Sequence, residues 1–192
     1  PWSRRRSRRF RQADPSHPVA AARTCAKVAA MSDPSPLFDL GTMRLPDAEA
    51  TSALAQRLAP HLGPGDCLCL MGDLGAGKTH FARAVIQARL TEPEDVPSPT
   101  FTLVQTYRAG GLEIWHSDLY RLSDPQEMDE LGLTEAFETA LCLIEWPDRF
   151  ADEMPEAALW LHFTMAGEGR MVTLRSARPD PWQARLAGVV PG

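Results

Sequence analysis

The sequence predicts a three-layer α/β sandwich, with a mixed, mostly parallel central sheet, antiparallel strands toward its edges and helices packed against it. Three observations carry that prediction. Cys67 to Met71 and Leu141 to Ile144 are short, wholly apolar runs, the pattern of strands buried on both faces. A glycine-rich turn, Gly72 to Thr79, joins the first run directly to a helical pattern. Beyond Leu159, apolar and polar residues alternate through a glycine turn, which marks an antiparallel hairpin. Strand–loop–helix units favour parallel pairing, and hairpins add antiparallel strands beside them.

Taken in order, residues 1 to 30 hold eight of the 20 basic residues, with Arg4, Arg5, Arg6, Arg8, Arg9 and Arg11 in one cluster, against a single acid, Asp14. The segment has no apolar periodicity and is expected to be disordered. It ends just before Met31, and Met31-Ser32-Asp33-Pro34-Ser35-Pro36 looks like an ordinary protein start. The expectation is a leader upstream of the true start; a transit peptide, or an arm for nucleic acid or membrane, are the other readings. Residues 31 to 192 are expected to form one domain, in keeping with their length.

From Asp47, placed to cap the entry, Leu54, Leu58 and Leu62 recur at helical spacing until Gly63-Pro64-Gly65 stops them. The first buried strand and the glycine-rich turn follow, then a helix from Lys78 to about Leu90. Thr91 to Pro99 carries three prolines and reads as loop. Phe101 to Tyr107 and Leu112 to His116 are predicted strands joined through Ala109-Gly110-Gly111. Residues 124 to 140 are mostly helical with a break at Gly132, and Leu141 to Ile144 ends in Glu145. Leu159, Leu161, Phe163 and Met165 then alternate with Trp160, His162 and Thr164, and Gly167-Glu168-Gly169 turns the chain into Met171 to Arg175, a half-exposed hairpin.

Charge and composition exclude several function classes. No run of eighteen apolar residues occurs, so a membrane span is not expected. Past residue 30 the chain has 12 bases and 24 acids, a net charge of −12. So acidic a body gives little support for direct binding to DNA or RNA, since that affinity depends on Lys and Arg neutralising phosphates. Any link to RNA is expected to run through a partner. Cys25, Cys67, Cys69 and Cys142 form no Cys-x-x-Cys pair or zinc-like set; the last three read as buried hydrophobes in a reducing compartment.

The chemistry is concentrated in Gly72-Asp73-Leu74-Gly75-Ala76-Gly77-Lys78-Thr79, which matches Gly-x-x-x-x-Gly-Lys-Ser/Thr in full. Small residues let the backbone curl so that successive N–H groups point at phosphates, and the helix N-terminus adds its positive dipole end. Lys78 is expected to reach the β- and γ-phosphates and the Thr79 hydroxyl to bind magnesium. This is a P-loop NTPase pattern. Such a hydrolase also needs an acid near the metal. Glu145, at the end of an apolar strand, and Asp118, after Ile114, Trp115 and His116, are both candidates; the bland reading of each is a solvated acid at a strand end. Pro97-Ser98-Pro99-Thr100-Phe101-Thr102 reads equally as a switch-like loop that feels the γ-phosphate and as a strand entry with local turn bonds. His116 and His162 lack a ligand set and read as strand-surface histidines, and Trp146 as packing.

Together the blocks Gly-Asp-Leu-Gly-Ala-Gly-Lys-Thr (72 to 79), Ser-Pro-Thr-Phe-Thr-Leu-Val (98 to 104), His-Ser-Asp-Leu-Tyr-Arg-Leu (116 to 122), Glu-Leu-Gly-Leu (130 to 133) and Ile-Glu-Trp-Pro (144 to 147) resemble the TsaE family over about residues 37 to 175. The resemblance implies a bacterial cytoplasmic ATPase for threonylcarbamoylation of the adenosine next to the anticodon in tRNA, working with TsaD and TsaB. It implies Thr79 and Glu145 as magnesium or catalytic positions, Asp118 as a further active-site acid, Trp146 as a neighbour of the nucleotide, and Ser98 and Thr100 as parts of the switch-like loop. The rivals are a GTPase, a small-molecule kinase and a nucleotide-gated binding module. Guanine reading commonly uses an Asn-Lys-x-Asp segment, and the chain contains no asparagine. A kinase needs a basic lid, and past Leu90 the scattered Arg108, Arg121 and Arg149 form none.

Overall fold

The apolar runs become the middle of a seven-stranded sheet in the computed structural model, which describes residues 36–190 apart from Pro93. The leader expected over residues 1 to 30 lies outside the described residues. The strands are β1 (Phe38–Leu45), β2 (Cys67–Met71), β3 (Val104–Ala109), β4 (Leu112–Asp118), β5 (Leu141–Glu145), β6 (Leu159–Ala166) and β7 (Gly169–Ser176). Their order across the sheet is β1-β7-β6-β2-β5-β4-β3. Pairing is parallel through β6-β2-β5-β4 and antiparallel for β3 on β4, β7 on β6 and β1 on β7. That is the mixture expected, with β2 at the centre; it feeds the glycine-rich loop Gly72 to Thr79, called the phosphate loop below after its sequence motif.

Because side chains alternate along a strand, each central strand serves two cores. Leu68, Leu70, Leu141 and Leu143 join the core beneath α1 (Ala48–Leu58), α2 (Lys78–Arg89) and α5 (Asp180–Leu186). Cys67, Cys69, Cys142 and Ile144 face the other core, beneath α3 (Gln126–Glu130) and α4 (Leu133–Thr139). Each fully buried leucine contributes about 1.5–3 kcal/mol, so these short strands are held by both layers. The three thiols are free and buried, and burial pushes the Cys142 thiol far above its usual range, which leaves it unreactive.

Local signals act as the residues dictate. The Asp47 carboxylate accepts from the Ala50 N–H at 2.7 Å and caps α1. Gly132, at φ 80°, separates α3 from α4. Two expectations need correction, and two elements were not foreseen. β3 begins at Val104 rather than Phe101, because Leu103 turns to φ 64° and donates its N–H to the Pro99 carbonyl at 2.7 Å, closing a tight turn. The β6–β7 hairpin is not half-exposed along its length: Leu159, Trp160 and Leu161 are all buried, since β6 lies between β2 and β7 with helices on its faces. β1 and α5, which the sequence reading left without an element, form an edge strand and a short helix that buries Trp182.

Candidate functional site

The phosphate loop is braced on every side by its own fold. Gly72 has φ 133°, and a Cβ there would stand 2.3 Å from the Phe163 carbonyl oxygen of β6, so glycine is required where the loop leaves the sheet. Ala76 is buried beneath the loop. Gly77, in the left-handed region, opens α2 and leaves the first-turn N–H groups of that helix aimed out of its end. Lys78 is the only lysine in residues 31–192. Its Nζ donates to the Gly72 and Asp73 carbonyls at 2.6 and 2.9 Å and lies 3.8 Å from the centre of the Trp146 ring. Burial lowers the Lys78 ammonium below the usual lysine value, and the Glu145, Asp118, Asp148 and Asp73 carboxylates pull it part of the way back.

The two candidate acids arrive side by side. Asp118 and Glu145 are register partners at the ends of β4 and β5, on the face that α2 covers. Both are buried, at 4% and 2% exposure, so neither is the solvated strand-end acid of the bland reading. Thr79 Oγ1 donates to Glu145 Oε2 at 2.8 Å. Thr100 Oγ1 donates to Asp118 Oδ2 at 2.9 Å, and Ser98 Oγ lies 2.9 Å from Thr100 Oγ1. The Ser98 to Thr102 loop therefore touches the cleft through one hydroxyl chain. Its far end is pinned where Leu103 O accepts from Asp118 N and Ser117 Oγ.

Thr79, Thr100, Asp118 and Glu145 line a cleft of about 530 Å³ together with Leu74, Gly75, Gly77, Lys78 and Trp146. Gly72, Asp73 and Ala76, also expected in the phosphate grip, do not line it. Trp146, in the left-handed region at φ 58°, follows Glu145 directly; that backbone turn lays its ring against Lys78 and, at 5.1 Å between centres, against Tyr120. Thr79 Oγ1 and Glu145 Oε2 are hard oxygens of the kind magnesium takes, and a magnesium shared with phosphates needs only one or two protein oxygens.

Two residues that sequence reasoning missed bear on the site. His116 is not a strand-surface histidine: it is fully buried, and its Nε2 lies 2.8 Å from Glu145 Oε1. His162 is exposed, as expected. Arg170, at the start of β7, reaches across to the phosphate loop and donates to the Gly75 and Ala76 carbonyls at 3.1 Å each. A loop that turns its N–H groups inward turns carbonyls outward, and Arg170 satisfies two of them. The only sequence hint was its position just after the Gly167-Glu168-Gly169 turn. The cleft is also lined by His80 and Arg83, which no motif singled out, and by Tyr120, which lies in the 116 to 122 block but had been given no role.

A family model described as threonylcarbamoyl adenosine biosynthesis protein TsaE matches residues 45–172. The chain belongs to the TsaE family. One TsaE relative, the tRNA threonylcarbamoyladenosine biosynthesis protein of Rickettsia conorii, is 50% identical over 100 residues, which cover 52% of this chain and 57% of that protein. The protein of the same name from Bacillus subtilis is 39% identical over 126 residues, 65% of this chain and 78% of its own length. The matched stretch thus spans little more than half of the Rickettsia conorii relative. Among solved structures, Bacillus subtilis YdiB superposes with a TM-score of 0.66 at 29% identity, covering 80% of this chain and 95% of that one. Among the described residues no helix is long and apolar enough to cross a membrane.

Proposed function

We propose that this protein is a magnesium-dependent ATPase that serves threonylcarbamoylation of the adenosine next to the anticodon in tRNA, with TsaD and TsaB as its protein partners. The observation that carries the reading is the convergence of Lys78, Thr79 and Glu145 at one end of the cleft, with Thr79 Oγ1 2.8 Å from the carboxylate. The names of the relatives supply the tRNA pathway. On this reading the N–H groups of the phosphate loop and Lys78 hold the β- and γ-phosphates, and arrival of that negative charge offsets the burial that lowers the lysine pKa. Thr79 and Glu145 hold magnesium, which neutralises phosphate charge when bound. Asp118 orients the attacking water and reports its position to the Thr100 loop. Trp146 and Tyr120 shield the phosphates from solvent.

The same geometry explains why turnover should be slow without a partner. Arg83, which lines the cleft, has its Nε committed to the Val96 carbonyl at 2.6 Å, and Arg170 is committed to loop carbonyls. Neither is placed to neutralise charge developing on the transferred phosphoryl group. The acidic body reaches tRNA through its partners and not by its own attraction to phosphates.

The test is phosphate release from ATP by the protein alone and with TsaD and TsaB. The expected result is slow release alone and a rise on the order of a thousandfold with both partners. Rapid turnover alone, with neither rate nor sedimentation changed by TsaD and TsaB, would contradict the proposal.

A further inference from the structure

The His116 side chain sits between two constraints that a space-filling residue would not meet. It is wholly inaccessible to solvent, on strand β4 between β5 and the edge strand β3, and Ile114 two residues before it belongs to the apolar core under α2. Its Nδ1 has no hydrogen-bond partner, and among the described residues it is the one buried side-chain nitrogen or oxygen left so. Buried polar atoms are nearly always paired, so an orphan asks what the other end of the ring gains. Here the gain is a single bond, Nε2 to Glu145 Oε1 at 2.8 Å. Against a carboxylate oxygen, Nε2 is the end of the ring that donates.

Among the described residues, the Glu145 carboxylate has one other side-chain hydrogen bond, from Thr79. Glu145 closes β5, its Oε2 accepts from Thr79, and the next residue, Trp146, leaves in a left-handed turn. Rotation of its carboxyl group would exchange the two oxygens or swing the group toward Lys78. A donor fixed in the sheet on Oε1 holds the plane of the carboxylate, so that Oε2 stays beside the Thr79 hydroxyl.

We infer that His116 is a positioning residue, which through its bond to Oε1 keeps Glu145 Oε2 next to Thr79, the pair that would hold magnesium. The inference rests on the reading of the site as a magnesium and nucleotide site. Outer partners of this kind commonly cost 10- to 100-fold in metal affinity or activity when lost.

The test compares His116→Gln with His116→Asn. Gln places an amide N–H where the imidazole Nε2 stands, whereas Asn is polar and compact but too short to reach Oε1. For both variants and wild type, magnesium is titrated against binding of a fluorescent ATP analogue, and kcat and KM for ATP are measured with TsaD and TsaB present. His116→Gln should keep the magnesium requirement within about threefold of wild type. His116→Asn should need about tenfold more magnesium and lose about 10- to 100-fold in kcat, with binding of the magnesium-free nucleotide unchanged. Equal magnesium requirements for all three proteins would overturn the positioning role. So would an equal loss in both variants, since a role confined to packing does not discriminate between them by reach. If wild type itself binds nucleotide without any magnesium dependence, the magnesium reading of the Thr79–Glu145 pair fails first and this inference falls with it.

Discussion

The phosphate loop and the Pro97 to Leu103 loop meet at the same cleft, yet they are built in opposite ways. The first is clamped from outside: Gly72 lies against the β6 backbone, Arg170 grips the Gly75 and Ala76 carbonyls, and Lys78 ties the Gly72 and Asp73 carbonyls from within. The second is anchored at its ends and loose at its crown. Leu103 is fixed to Pro99, Ser117 and Asp118, but Phe101 is 86% exposed, and the link from loop to cleft is the Ser98–Thr100–Asp118 chain of hydroxyls and carboxylate. One loop is shaped before a ligand arrives, which spares the cost of ordering it on binding. The other has few contacts to lose and can change when the cleft fills. Binding should therefore be decided by the first loop, and turnover should be sensitive to the second.

The largest expected effect falls where the two loops meet Thr79 and Glu145. Glu145→Gln should leave ATP binding within about threefold of wild type while slowing hydrolysis by about a hundred- to a thousandfold, because the amide keeps the shape and loses the charge. Wild-type turnover in that variant would move the role to Asp118. A smaller effect should come from Arg170→Ala, which unclamps the phosphate loop without touching the cleft. ATP and ADP affinity should fall together by about tenfold with kcat at saturation nearly unchanged, measured by fluorescence titration and steady-state kinetics. A fall in kcat alone would instead mark Arg170 as a group acting on the transition state, and the clamp would be misassigned. The smallest effect belongs to the looser loop: Thr100→Ala should lower partner-stimulated turnover about three- to fivefold and leave nucleotide affinity unaltered. An affinity loss as large as that of Arg170→Ala would erase the contrast between the loops.

What could be read in advance follows the range of the interactions. β2, β5 and the turn into α2 are local patterns, and the Asp47 cap acts on a residue three positions away, so each was legible in its own segment. β1 was not. Its inner residues Met43 and Leu45 are buried only because β7, about 130 residues later, pairs with it, and a register shift between Asp39 and Gly41 breaks its alternation. The Phe101 to Leu103 stretch reads as the start of β3 by residue type, yet Leu103 is held in a left-handed turn by Ser117 and Asp118 of the neighbouring strand. At the site, the motif residues and both acids were legible because strand ends and glycine spacing announce them. His116 and Arg170 were not, because each acts on residues 29 and 94 or more positions away, and nothing in their immediate neighbours reveals the partner.

If Lys78, Thr79 and Glu145 make a nucleotide site, calorimetry with MgATP will separate wild type from Lys78→Ala. Lys78 has no second lysine within residues 31–192 to stand in for it, and it supplies the positive point charge inside the loop. The expected result is one MgATP bound per wild-type chain and an affinity reduced by about a hundredfold or more in the variant, whose loop is otherwise held by Gly72 and Arg170. Equal MgATP binding by the two proteins, or no binding by wild type, would contradict it.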